Sequence, residues 1–443
     1  PRTAITLGVK KIMEAKKVIL MAWGEGKSSI IKASAEDEVT NKVPASYLQE
    51  HRNATFVLDK GACSKLTRIN TPWLVEKVEW TDKLVRKAVL ALALHLNKPI
   101  LMLTDADYIE NGMSDLLADS GPAYDINIKI FNKLQNTITG WPGGKPNADD
   151  SRRPERAEPA KKRVLIFSPH PDDDIISMGG TFKRLVEQGH EVYVAYQTSG
   201  NIAVADDEAL KFASFVCDYN DRFNIKNKET EDIYKKAKKF LANKKDSEID
   251  IPQVRQIKGL IRKGEAKATS HFVGLPDEQI HFMELPFYET GTIEKNPIGE
   301  EDIKLTMELI DKIKPHQIYA AGDLADPHGT HKLCLDVVFE SVKCLKTKKY
   351  MDDCWVWLYR GAWQEWGIDE IEMAIPMSPD QVLEKRHGIF KHQSQKDGVV
   401  FQGSDSREFW QRAEDRNQET AQLYDQLGLA KYAAMEAFVR WYF

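Results

Sequence analysis

Arg163 to Phe167 (RVLIF), apolar from Val164 onward, begins a strand that leads directly into Ser168-Pro169-His170-Pro171-Asp172-Asp173-Asp174. A helix is expected over Thr181 to Gln188 and a further strand over Glu191 to Gln197 (EVYVAYQ). Strand, helix and strand in this order form a βαβ unit, whose crossover requires a parallel sheet. The seven polar-rich residues then stand at the carboxyl end of a parallel strand, where open α/β sheets place their ligands.

Pro169 and Pro171 restrict the backbone on both sides of His170, which lowers the entropy lost when a loop orders around a cation. His170 and Asp173 can turn towards one point. A second cluster, Asp323-Leu324-Ala325-Asp326-Pro327-His328-Gly329-Thr330-His331, follows the apolar run Gln317 to Ala321 (QIYAA), with His331 entering a helix. Two imidazoles and one carboxylate bind zinc while leaving a position for water, as a catalytic site requires. Such a water approaches a pKa of about 7. Three successive acids are costly in an apolar site, but a cation favours their ionised forms and leaves one to work as a base. Taken singly, His-Pro-Asp is also a capped turn and HxxH two helical histidines. Together, each after an expected strand, they mark a metal site for zinc or another divalent ion.

Residues 141–162 (WPGGKPNADDSRRPERAEPAKK) hold four prolines and almost no apolar side chain able to pack, and are expected to be a linker. Ahead of it, Lys17 to Gly24 (KVILMAWG) reads as a strand and turn before a helix, Thr55 to Asp59 as a strand, and Leu84 to Leu96 as a packed helix. The first segment is therefore α/β as well. Residues 228–270, rich in Lys and Glu, are expected to form a solvated helical insertion. With 443 residues the chain is long enough for two or three domains. A net charge of −5 offers no case for nucleic acid or an anionic membrane. No apolar run approaches the ~20 residues that span a bilayer, and no signal peptide is evident, so a cytoplasmic location is expected. The five cysteines lack a CxxC pair and are expected to be reduced and mostly buried. The start at Pro1-Arg2-Thr3, without Met and soon followed by a strand, points to a fragment of a longer protein.

From Arg163 to about Leu429 the chain resembles the LmbE/PIG-L zinc N-deacetylases, through SPHPDDD, Met178-Gly179-Gly180-Thr181, HGTH at 328–331 and Lys391-His392-Gln393-Ser394-Gln395. The resemblance implies a Rossmann-like, mostly parallel sheet, zinc held by His170, Asp173 and His331, and Asp172 as the general base. It also implies His328 beside the tetrahedral oxyanion or leaving amine. Asp174 stands where the family usually has Glu, and HGTH where it often has HPDH. The implied reaction is hydrolysis of an N-acetyl group on an amino sugar, such as N-acetylglucosamine or its 6-phosphate. Arg360 could meet an anionic part of the substrate or form a structural ion pair. Lys391 to Gln395 is expected to position loops or a subunit contact.

Gly24-Glu25-Gly26-Lys27-Ser28-Ser29 offers the Gly-Lys-Ser of a P-loop, but Met21 occupies the position where a Walker A motif needs Gly. A Gly-flanked Lys after a strand can still hold a smaller phosphate, or be a solvated helix-start lysine. Pro1 to about Leu66 resembles the C-terminal part of the glucosamine-6-phosphate deaminase/isomerase family, through Ala4 to Val9 (AITLGV), Val18 to Lys27 (VILMAWGEGK) and Pro44 to His51 (PASYLQEH). By that resemblance Lys27 contacts the sugar phosphate. The family's acid/base residues have no match here. The expected division is a partial deaminase-like segment at 1–140, a linker at 141–162 and a deacetylase domain at 163–443. The expected partner is a small amino-sugar substrate, and homo-oligomerisation is expected. Two alternatives stand beside this reading: a glucosamine-6-phosphate deaminase-type enzyme when complete, or a non-enzymatic sugar-phosphate sensor.

Overall fold

The computed structural model describes residues 7–245, 248–292, 294–322, 329–361, 364–395 and 407–443. The chain divides into two compact units, Pro1–Phe131 and Asn132–Phe443.

In the first unit, β1 (Val18–Ala22) and β2 (Ala54–Leu58) pair in parallel, and α1 (Ser28–Ala35) follows β1 after a short turn. Gly24, at φ 87°, makes that turn, and its N–H donates to the Asp59 carboxylate beyond β2. The expected helix over 84–96 is α2 (Asp82–His95), capped by the Thr81 hydroxyl and buried along Val85, Ala88, Val89 and Leu92. Ile19, Met21 and Val57 of the small sheet remain exposed.

The second unit holds a seven-stranded sheet in the order β5-β4-β3-β6-β7-β9-β8. The strands are β3 (Arg163–Ser168), β4 (Glu191–Tyr196), β5 (Ile280–Phe282), β6 (Gln317–Ala321), β7 (Trp355–Tyr359), β8 (Met373–Met377) and β9 (Ala434–Trp441). β3 to β7 run parallel, and β9 is antiparallel to both its neighbours. The mostly parallel α/β sheet read from the sequence is thus observed. Val164 to Phe167 are uniformly apolar because both faces of β3 are covered there. Val164 and Ile166 pack with Ile175, Phe182 and Leu185 on one face; Leu165 and Phe167 pack with Ile310, Val338 and Val342 on the other.

The helix after β3, α3 (Asp173–Glu187), begins eight residues earlier than expected, because Asp173 and Asp174 favour the positive end of a helix. Met178-Gly179-Gly180 is a kink inside it, with Met178 at non-helical angles. The kink turns the Gly180 and Thr181 N–H groups to the buried Glu436 carboxylate on β9, at 3.0 and 2.7 Å. Helices α4 (Asp206–Arg222), α5 (Lys228–Asn243), α6 (Pro252–Val273), α7 (Glu300–Ile313) and α8 (Thr330–Leu345) follow along the chain, and Glu436 also pairs at 2.7 Å with buried Lys385 on α9 (Pro379–Ile389). A last helix, α10 (Phe409–Gln426), supplies Asn417 to Lys385.

Two expectations change. The proline-rich stretch 141–162 is packed against the second sheet unit. Gln317 and Tyr319 donate to the Pro142 carbonyl, and buried Lys162 donates to the carbonyls of Arg156, Ala157 and Pro159. With few side chains to bury, the stretch docks through its backbone. The 228–270 insertion is helical as expected, but α6 buries Val254, Lys258, Ile261, Arg262, Ala266, Thr269, Ser270 and Val273 along one helical face, so it is not a solvated surface helix. All five cysteines are free, but only Cys334 and Cys354 are buried, so the thiols are not mostly buried as expected.

Removing one member of a buried ion pair leaves the other uncompensated, at a cost of about 3–5 kcal/mol. Lys385→Met is expected to lower the unfolding free energy by that order, measured as the denaturant midpoint of the second unit. A change under about 1 kcal/mol would show that the Glu436 anchor contributes little.

Candidate metal centre

Strand order places the site. Successive strands leave β3 towards β4 and β5 on one side, and the chain then crosses to β6 on the other. Connections that diverge from adjacent parallel strands open a crevice at their carboxyl ends. Ser168 to Asp174 follow β3 there, and Gly329 to His331 lie at the start of α8, beyond β6.

His170 Nδ1 lies 3.1 Å from Asp173 Oδ2, His331 Nε2 lies 3.2 Å from the same oxygen, and the two nitrogens are 3.3 Å apart. Ligand atoms about 2.0–2.1 Å from a tetrahedral ion stand about 3.3–3.4 Å from one another. The triangle therefore has the edges of three corners of such a tetrahedron. These three residues form the group able to hold a cation found among the described residues. The His170 N–H donates to Asp173 Oδ2 at 2.8 Å and fixes the carboxylate in the first turn of α3. Burial pushes the Asp173 carboxyl up, but the His331 charge and the hydrogen bonds from both imidazoles outweigh it and hold the group well below the usual carboxylate range.

Asp172 is buried beside the triangle, and its Oδ1 lies 3.0 Å from Nη2 of Arg262, itself buried on α6. Burial raises its pKa against the pull of the guanidinium. Arg262 Nε and Nη1 are buried without hydrogen-bond partners among the described residues. Asp174 points away into a network: it accepts from Tyr196 at 2.9 Å, and its N–H and carboxylate meet Ser168 Oγ. Burial pushes its carboxyl up to about 7.

Lys391 to Gln395 brace α6. Glu265 accepts from the Ser394 N–H and hydroxyl, both at 2.7 Å, and His392 Nε2 lies 2.9 Å from Thr269 Oγ1. Gln395 donates to the Ala203 carbonyl. The motif thus positions loops within the chain. Arg360 contacts Gln364 and lies over Trp366, 4.3 Å from the ring centroid.

His170, Asp172, Asp173 and His331 come together as expected. His328 lies outside the described residues. Lys27 is exposed after the Gly24 turn, in the first unit. Arg262 and the Glu436 anchor escaped the sequence reading. The 3–4-residue recurrence of Val254, Lys258, Ile261, Arg262, Ala266 and Thr269 was a usable signal, masked by the surrounding charge.

Residues 165–342 match the family model described as PIG-L: GlcNAc-PI de-N-acetylase. A relative from Bacteroides thetaiotaomicron, described as a putative glucosamine-6-phosphate deaminase-like protein, is 56% identical over 448 residues, covering 100% of this chain and 67% of its own length. Glucosamine-6-phosphate deaminases of Lactobacillus johnsonii and Streptococcus suis are 48% and 50% identical over 66 residues, 15% of this chain and 28% of theirs. Among solved structures, the N,N'-diacetylchitobiose deacetylase from Pyrococcus horikoshii aligns over 63% of this chain and 84% of its own, at 18% identity and a TM-score of 0.41.

Loss of one imidazole from a three-ligand site removes a third of its protein donors. His331→Ala is expected to drop the bound divalent metal at least tenfold from one ion per chain, measured by elemental analysis after dialysis. Full retention would place the ion elsewhere.

Proposed function

We propose, from the premise that the chain belongs to the PIG-L (LmbE) family, that it hydrolyses the N-acetyl group of an amino sugar at a divalent-metal centre. The observation that carries this reading is the convergence of His170, Asp173 and His331 on one point beside a buried carboxylate, Asp172, tied to Arg262. Zinc suits a set of two imidazoles and one carboxylate. A divalent ion held there supplies Lewis acidity and an acidified water.

The chain's own groups do the rest. Arg262 holds Oδ1 of Asp172, leaving Oδ2 to take the proton from the attacking water. The same carboxyl then returns a proton to the departing amine, so acetate and a free amino sugar leave. Burial of Asp172, Asp173 and His331 keeps bulk water from competing for these hydrogen bonds. His328, by resemblance, would assist at the oxyanion.

A second reading concerns the whole protein, and the 66-residue likeness to glucosamine-6-phosphate deaminases favours it. In that reading the first unit belongs to an amino-sugar phosphate deaminase, with Lys27 on the phosphate, and the deacetylase supplies its substrate.

Removing a general base costs about 10²–10⁴-fold. Asp172→Asn is expected to lower kcat for acetate release from N-acetylated amino sugars by that range while keeping the metal. No acetate from any such sugar with metal-loaded wild-type protein would contradict the proposed reaction.

A further inference from the structure

Helix α4 turns its small residues inward and its large ones outward. Ala209 and Ala213 are buried, while Phe212, Phe215, Val216, Tyr219 and Phe223 are 40–61% exposed. At about 100° per residue the five fall within about 100° of the circumference and form one stripe some three turns long. The Tyr219 ring lies 4.6 Å from that of Phe223 and 6.3 Å from that of Phe215, so the aromatic surface is continuous. The helix is anchored without it. Asn220 donates to Thr230 on α5 at 2.7 Å, and Asp206 pairs with Lys258 on α6 at 2.6 Å. From the size of such side chains, the stripe leaves about 400–500 Å² of apolar surface open. Contiguous patches of this order mark contact surfaces.

Its spacing says what covers it. Phe212, Val216, Tyr219 and Phe223 follow one another at intervals of four, three and four residues. That is the seam of a coiled coil, which takes another helix of the same pattern. The intervals also read alike in both directions. An interface between identical copies about a two-fold axis requires this property, since each residue must meet the one whose partner it is in return. With two antiparallel α4 helices centred between Val216 and Tyr219, Phe212 falls opposite Phe223 of the partner subunit, and Val216 opposite Tyr219 of the partner subunit.

Charge selects the same direction. Residues 207–211 carry Asp207, Glu208 and Lys211, a net −1, and residues 224–228, which the antiparallel pairing sets against them, carry Lys226 and Lys228, a net +2. Asp206 is already neutralised by Lys244 and Lys258. Parallel pairing would put each end on its like, whereas antiparallel pairing also opposes the two helix dipoles. An anionic lipid surface would meet the acidic end as well as the basic one. We infer that α4 is a self-docking surface, through which two copies of the chain pair about a two-fold axis with their α4 helices antiparallel. Two such stripes bury about 1,000 Å² in all, at the low end for specific interfaces, so the dimer is one that dissociates in the micromolar range.

Sedimentation velocity of the full chain across that range tests the inference. The mass is expected to double with concentration. Phe215→Glu with Phe223→Glu, both at the most exposed positions of the stripe, should raise the dissociation constant at least tenfold at unchanged thermal midpoint. Charge reversal supplies a second readout. Asp207→Lys with Glu208→Lys, or Lys226→Glu with Lys228→Glu, should each weaken the dimer, and all four together should restore it. Each of three results would overturn the inference: a monomer throughout, including one that binds phosphatidylglycerol vesicles instead; association that survives the two Phe substitutions; or a fourfold reversal that associates no better than either half.

Discussion

The site depends on the place where the chain reverses its direction of travel across the sheet. β3 sits between β4 and β6, and the segments leaving β3 and β6 diverge. That divergence opens a crevice at the strand ends, and the two chemically rich segments of the chain begin there. His170 and Asp173 come from one side and His331 from the other, across 161 residues of sequence. A cation bound among them would tie together elements that hydrogen bonding along the sheet already brings within reach. Metal affinity and fold would then be coupled only locally, since β3 and β6 pair without it.

Holding the triangle to a few tenths of an ångström requires support from outside the crevice. The kink of α3 is fixed by Glu436, which accepts from Gly180 and Thr181 and is itself neutralised by Lys385. A Cβ on Gly180 would stand 2.3 Å from Met377 Sδ, so a larger residue there requires the Met377 side chain to move. From the other side, α6 brings Arg262 to Asp172 and is braced by His392 and Ser394. Neighbouring acids are thereby given different environments: Asp173 towards the imidazoles, Asp172 towards a guanidinium and Asp174 towards the Tyr196 hydroxyl.

What was legible in the sequence was local. Val164 to Phe167 and Ile318 to Ala321 read as strands because a strand buried on both faces is apolar, and His170, Asp173 and His331 stood out because prolines and strand ends framed them. What was hidden depended on distant partners. Arg262 looked like one more charge in a Lys- and Glu-rich stretch until α6 placed it 3.0 Å from Asp172. The sequence pattern starts the helix at Thr181, whereas Glu436, 256 residues from Gly180, holds Gly179 and Gly180 in a kink within a helix that starts at Asp173. Residues 141–162 looked unattached because docking through carbonyl groups leaves no mark in side-chain composition.

X-ray absorption at the metal edge of the loaded protein tests the central claim most directly. Two imidazole shells and oxygen ligands at about 2.0–2.1 Å, with no sulfur, are predicted for a cation held by His170, Asp173 and His331. A sulfur shell near ~2.3 Å, or a spectrum of the fully hydrated ion, would contradict the centre on which the account rests.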